Sequence, residues 1–128
     1  MKPVLPPKPT DTELSILRVL WRLGPATVRA IHTELNLLQE TGYTTALKML
    51  QIMTEKGLVQ RDESERSHVY RSVWTEQQIQ RQLVGHLLDR AFGGSAQKLV
   101  LQALSAKKAS PEELAEIRRI IDQMEAEA

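Results

Sequence analysis

Four residues at helical spacing carry the chemistry that stands out in this chain: Thr44, Thr45, Lys48 and Gln51. On a helical wheel they share one side with Glu55, while Ala46, Met49, Leu50 and Met53 fall on the other. Short hydroxyls can bond phosphate or touch a thymine methyl, lysine suits guanine or phosphate, and glutamine pairs with adenine. The polar side therefore has the composition of a major-groove reading face. An ordinary solvated helix face has the same composition, so the flanking segments must decide. Downstream, Arg66, Ser67 and His68 form the basic end of a polar turn. Asp62, Glu63 and Glu65 precede or interrupt that end and would be repelled by phosphates unless they point away. Arg61 and Arg71 alternate on the flanking segments, where they either add backbone contacts or balance these acids.

Other chemistries have little to stand on. The 128 residues contain no cysteine, which removes disulfides, thiolate metal sites and a cysteine nucleophile. His32, His68 and His86 are isolated from one another and read as surface or packing residues rather than ligands. Gly93-Gly94 lacks the following lysine and preceding strand of a phosphate loop, and no serine sits in a nucleophile elbow. No catalytic residue, metal site or cofactor is therefore expected. At 41% hydrophobic and 26% charged, the composition is that of a globular chain forming one domain, or a small domain with an appendage. The start has lysines but no apolar core of a signal peptide, and no apolar run is long enough to span a membrane, so a cytoplasmic protein is the default.

The elements that must position these residues are legible from caps and periodicity. Residues 1–9 contain four of the six prolines and read as an extended, polyproline-like arm. Thr10 with Glu13 forms a capping-box pattern, followed by Leu14, Leu17, Leu20 and Trp21 at helical spacing. Gly24-Pro25 ends that helix, with glycine expected in a left-handed cap. Thr27 caps a second helix carrying Val28, Ile31 and Leu35, and a third runs over about 43–56 and stops at Gly57. The period then changes from 3.6 to 2, predicting strands over 58–62 and 68–74 joined by the polar turn. Three helices followed by a hairpin is the order of a winged helix-turn-helix. The expected fold is mainly α with a small β-hairpin wing, the winged helix-turn-helix occupying 10–74 and three further helices 75–128.

Those last helices pose a burial problem. Thr75 with Gln78, Ser95, and Ser110 with Pro111 and Glu113 open three amphipathic segments, the middle one apolar on nearly every side. So thin an appendage hides its apolar surface most cheaply against a second copy of itself, giving a twofold dimer. Leu83, Leu87, Phe92, Leu99, Leu101, Leu104, Leu114, Ile117 and Ile121 are the interface candidates. Packing of these helices back onto the N-terminal domain is the alternative.

Several stretches resemble the penicillinase-repressor (BlaI/MecI-type) family of bacterial transcriptional regulators. Thr12-Glu13-Leu14-Ser15-Ile16-Leu17-Arg18-Val19-Leu20-Trp21 is similar to the family's first helix. Tyr43-Thr44-Thr45-Ala46 through Leu50, then Glu55-Lys56-Gly57-Leu58-Val59, resembles its recognition helix and the start of its wing. Arg66 with Tyr70 resembles the wing's Arg and Tyr, and Phe92-Gly93-Gly94-Ser95 the junction between dimerisation helices. With the closing Ser110-x-x-Glu113-Leu114 helix, the resemblance covers about 10–125. It implies a homodimer that binds a palindromic operator in double-stranded DNA and represses genes of the antibiotic-resistance type, with a sensor protease as a candidate partner. There are departures. Ile52 stands where the family commonly has a polar or basic residue, Gln102-Ala103 stands where some relatives have a cleavable Asn-Phe pair, and the cysteine-rich tail of the copper-responsive branch is absent.

The expected function is that of a homodimeric DNA-binding repressor. Residues 10–74 hold eight Lys/Arg and eight Asp/Glu, so affinity has to come from placement and from two copies rather than from bulk charge. The near-neutral charge and acidic wing also fit a winged-helix protein-interaction module, and a small-molecule-responsive winged-helix regulator is a further alternative.

Overall fold

The structure, a computed structural model, describes residues 5–64 and 66–128. The first four residues of the expected arm, including Lys2, and Glu65 of the wing turn lie outside the described residues. The elements run α1 (Asp11–Leu23), β1 (Ala26–Thr27), α2 (Val28–Leu38), α3 (Tyr43–Lys56), β2 (Val59–Asp62), β3 (Val69–Ser72), α4 (Glu76–Ala91), α5 (Ala96–Ala106) and α6 (Pro111–Glu127). Two compact units divide the chain, Met1–Gly85 and His86–Ala128.

Every helix except α3 starts at a side-chain cap legible in the sequence. Thr10 Oγ1 accepts from the Glu13 N–H at 3.2 Å and Glu13 Oε1 accepts from the Thr10 N–H at 2.8 Å, completing the capping box of α1. Thr75 and Gln78 make the same reciprocal pair before α4. Thr27, Ser95 and Ser110 each accept one backbone N–H at the head of α2, α5 and α6. Helix α3 ends at Gly57 in the left-handed conformation, φ +84° and ψ 19°, which returns the chain directly into β2. Gly24 also has a positive φ, but its ψ of −168° is extended, so α1 does not end in the left-handed cap expected of it. The reason lies in the next residues, which pass straight into a strand.

That strand, β1, is the one element that periodicity did not predict. The wing is three-stranded, in the order β1-β3-β2, with both neighbours antiparallel to β3. Ala26 and Thr27 pair with Tyr70 and Val69, while Val59, Gln60, Arg61 and Asp62 pair with Ser72, Arg71, Tyr70 and Val69. Two residues are too few for an alternation to be recognised.

The core of the first unit is built from the apolar stripes of α1, α2 and α3, closed by Leu58, Val59, Tyr70 and Trp74. Ile79 from the first half of α4 is fully buried in it, and Leu83 packs against its edge. Both tryptophans find hydrogen-bond acceptors: Trp21 Nε1 donates to the Trp74 carbonyl at 3.0 Å, and Trp74 Nε1 donates to the Gly57 carbonyl at 2.9 Å. These bonds fasten the wing's base to α1 and to the end of α3. Residues 5–9 of the Pro-rich segment lie against the same unit, with Pro6 and Pro9 buried and Gln82 Nε2 donating to the Pro6 carbonyl.

Among the described residues of this unit, Glu13 is the buried charged one. Besides closing the α1 cap, its Oε1 accepts from Lys56 Nζ at 2.6 Å, tying the head of α1 to the last turn of α3. Burial alone would raise the Glu13 pKa and is the largest single effect. The Lys56 ammonium and the Thr10 donors together outweigh it, so the carboxyl titrates below its ordinary value. A depressed carboxylate stabilises the fold fully above its unfolded pKa and loses that contribution as pH falls through the folded value. Glu13→Ala removes a cap and leaves Lys56 without its carboxylate, which should lower unfolding stability by about 1–3 kcal/mol in urea titrations. Between the ordinary carboxylate range and more acid pH, wild-type stability should fall more steeply than that of the variant; parallel profiles would contradict this role.

Candidate nucleic-acid interface

The pairing of β1 with β3 sets the N-terminus of α2 beside the wing. Thr27 Oγ1 caps α2 by accepting the Ala30 N–H at 3.2 Å, which leaves Arg29 in the first helical turn with its side chain exposed. The connection from α2 to α3 is pinned at Thr41. Its N–H donates to Asn36 Oδ1 at 2.9 Å, its hydroxyl donates to the Gln39 carbonyl at 2.7 Å, and its carbonyl accepts from His32 Nε2 at 2.6 Å. The His32 ring meets the Tyr43 ring edge to face at 5.7 Å. His32 therefore links α2 to both the last residues of the turn and the first residue of α3, which is the packing role expected of it.

Helix α3 divides its faces as the wheel predicts. Ala46, Leu50 and Met53 are buried and Met49 packs on the core, while Thr44, Thr45, Lys48, Gln51 and Glu55 are exposed. Gly42 occupies the N-cap and supplies no side-chain acceptor, so the first N–H groups of α3 have no side-chain cap. Ile52, the apolar residue at the family's commonly polar position, is 42% exposed.

Between α3 and the wing lies a groove of about 450 Å³. Thr27 borders it from β1, Val28 and Arg29 from α2, Tyr43, Leu47 and Gln51 from α3, and Arg61, Arg66, Ser67, His68 and Tyr70 from the wing. Three of the sequence-predicted wing residues and one from the recognition face thus share it; Thr44, Thr45 and Lys48 lie outside it on the exposed face of α3. Strand register separates the two wing arginines that sequence alone left equivalent. Arg61 stands opposite Tyr70 and reaches the groove. Arg71 stands opposite Gln60 on the reverse face, donating to its Oε1 at 2.9 and 3.2 Å. A hydrogen bond to the Tyr70 hydroxyl, helped by the nearby Glu63 carboxylate, raises the Arg61 pKa further.

The two described acids of the wing, Asp62 and Glu63, are occupied locally. Asp62 Oδ1 accepts the Ser64 N–H at 2.9 Å, and that bond holds its carboxyl below the ordinary range. Glu63 pairs with Arg61. Arg29 and Tyr43 are groove residues that sequence reasoning did not select. Thr27 as an N-cap already placed Arg29 in a first helical turn, but only the β1 pairing brings that turn to the wing. A larger groove of about 520 Å³ on the outer side of α1 contains none of the recognition-face residues, and its Arg22 is paired with Glu34 at 2.6 Å. Among the described residues, no group of three or more His, Asp or Glu side chains is placed to hold a metal ion, and no helix is long and apolar enough to cross a membrane.

In the second unit neither α5 nor α6 has a buried residue. Leu87, Leu101, Leu104, Leu114 and Ile121 are between 36% and 60% exposed, and Phe92, Leu99 and Ile117 are half-buried. Leu83 differs from these, since it packs on the core of the first unit.

Three helices, a three-stranded wing and an exposed third-helix face define a winged helix-turn-helix protein with a helical C-terminal region. The sequence profile of the penicillinase repressor family matches residues 9–123, and the chain belongs to that family of transcriptional repressors. It is 27% identical over 117 residues to the transcriptional regulator BlaI of Mycobacterium tuberculosis, a match covering 91% of this chain and 84% of that one. The solution structure of the DNA-binding domain of the repressor BlaI superposes with a TM-score of 0.52 at 24% identity, covering 61% of this chain and 93% of that one. The Bacillus licheniformis BlaI monomeric form, solved in complex with the blaP half-operator, gives a TM-score of 0.51 at the same identity and coverage. These structures share the fold of the first unit.

The geometry around His32 makes a prediction. His32→Ala removes a part-buried hydrogen bond and an aromatic contact, and should cost about 1 kcal/mol of stability. Amide exchange should rise at Tyr43, Thr44 and Thr45 ahead of the α3 interior; unchanged protection there would show that the turn holds without His32.

Proposed function

We propose that the chain is a homodimeric, sequence-specific DNA-binding repressor that reads a palindromic operator with α3 and its wing. In this reading Thr44, Thr45, Lys48 and Gln51 face base edges and phosphates in the major groove. Arg66, Ser67 and His68 contact the backbone or the adjacent minor groove from the wing. The observation that carries it is the exposed polar face of α3 beside a groove bordered by Arg29, Arg61 and Arg66, in a chain whose overall charge is only +1. Basic side chains are gathered where a recognition helix meets a wing. The free N–H groups at the start of α3 suit an anion. The half-operator complex of the Bacillus licheniformis relative supports the same use of the shared fold.

Dimerisation through the second unit supplies the second half-site. Its support is physical: α5 and α6 bury none of their residues within the chain, although Leu101, Leu104, Leu114, Ile117 and Ile121 recur along them. A second copy of the same helices covers such a face with twofold symmetry. Near-neutral charge and an acidic wing also fit a protein-interaction module, and the engagement of Asp62 and Glu63 within the wing weakens the second of these supports.

Two experiments test this. Lys48→Ala and Arg66→Ala should each weaken binding of the full chain to its own promoter fragment by about 1–3 kcal/mol, with affinity falling steeply as salt rises. No retention of that fragment at low salt, with neither substitution having an effect, would overturn the reading. Leu101→Asp, by placing a charge in the proposed interface, should convert a sedimenting dimer into a monomer. A wild type that sediments as a monomer at micromolar concentration would contradict the dimer.

A further inference from the structure

The groove contains two arginines that lie off the recognition face. Arg29 comes from the first turn of α2 and Arg61 from the wing, and they border the same cleft from opposite elements, with Tyr43, Leu47 and Gln51 of α3 beside them. No acidic side chain borders this cleft among the described residues. The partial positive charge at the head of an eleven-residue helix adds to that of Arg29. The nearest anion is internal: Glu63, at the start of the wing turn, pairs with the Arg61 guanidinium. Both members of that pair are substantially exposed, 37% and 53%, so the contact is weak and exchanges readily for a better anion. A phosphodiester offers two oxygens to the planar guanidinium fork and is such an anion. Asp62 is not its rival, because that carboxylate is held by Ser64.

We propose that Arg29 and Arg61 clamp one DNA backbone phosphate in the cleft between α2, α3 and the wing, and that Glu63 is the resident counter-ion which the phosphate displaces. The inference rests on the DNA-binding reading above and adds a second layer to it. Because neither arginine lies on the outward face of α3, the clamp supplies affinity and orientation without reading sequence. Glu63 acts as a brake: it keeps Arg61 occupied when no DNA is present and lowers the net gain when DNA arrives. This explains how an acidic residue sits at the base of a wing tip that approaches phosphates.

The test is a double-mutant cycle on the full chain. Binding to a duplex of its own promoter, and to a duplex of unrelated sequence, is followed by fluorescence anisotropy across a range of salt for wild type, Glu63→Gln, Arg61→Gln, Arg29→Gln and the Glu63→Gln/Arg61→Gln double variant. Glu63→Gln should tighten binding about two- to five-fold when Arg61 is present and clearly less when Arg61 is replaced. Arg61→Gln and Arg29→Gln should weaken both duplexes by similar factors and reduce the log–log salt slope by about 1 each. Lys48→Ala should instead weaken the promoter duplex more than the unrelated one. Equal effects of Glu63→Gln with and without Arg61 would reduce Glu63 to general repulsion and overturn the proposal. So would unchanged affinity for both arginine variants while Lys48→Ala still weakens binding. Failure of wild type to bind either duplex would instead overturn the DNA-binding reading itself. Titration with inorganic phosphate alone provides the last arm. Saturation of the Arg29 and Arg61 amides at low millimolar phosphate would assign the cleft to a free anion and overturn the DNA clamp.

Discussion

In the central strand of the wing, Tyr70 stands opposite Ala26 on one side and Arg61 on the other, with its ring buried in the core. Side chains alternate along a strand, so this pairing sends Arg61 toward α3 and Arg71 to the reverse face. A slip of one residue would exchange them and bring Tyr70 out of the core. The same strand holds β1, and β1 delivers the head of α2 with Arg29 to the groove. Register thus decides which cations surround α3. Burial of Tyr70 makes that register costly to change, since exposing a large aromatic ring forfeits much of its hydrophobic stabilisation.

Much of this was legible in the amino-acid sequence, because local signals decide it. Caps at Thr10, Thr27, Thr75, Ser95 and Ser110 and the stop at Gly57 mark helix ends through bonds within a few residues. The buried and exposed sides of α3 follow from its period. What escaped depends on contacts between distant segments. β1 is two residues long and exists only by pairing with β3, more than forty positions away. The difference between Arg61 and Arg71 requires the register, and the place of Arg29 requires both strands. Ile79 and Leu83 read as part of a C-terminal appendage, yet Ile79 is buried in the core of the first unit and Leu83 packs against it.

Charge illustrates the same division. An equal count of acids and bases in the winged region implied that placement must do what net charge does not. Four of these eight acids have local tasks: Glu13 caps α1 and holds Lys56, Glu34 pairs with Arg22, Asp62 accepts the Ser64 N–H and Glu63 pairs with Arg61. Arg29, Lys48 and Arg66 have no ion-pair partner within 4.0 Å among the described residues. A neutral domain can in this way present a locally basic cleft. In the second unit the polar side chains likewise serve local caps and pairs, while α5 and α6 leave their apolar side chains uncovered within the chain, which is the support for the proposed dimer.

In the proposed function α3 and its neighbouring groove, rather than another face of the first unit, form the DNA-binding surface. Amide chemical shifts of the labelled full chain, followed while its own promoter duplex is added, test this most directly. Perturbation is expected at Arg29, along the Thr44 to Gln51 face and at Arg61 and Arg66 to His68, with Gln60, Arg71 and the outer groove of α1 around Arg18 and Arg22 left unchanged. Perturbation concentrated on the Gln60 and Arg71 face or on the outer groove of α1, with α3 silent, would contradict it.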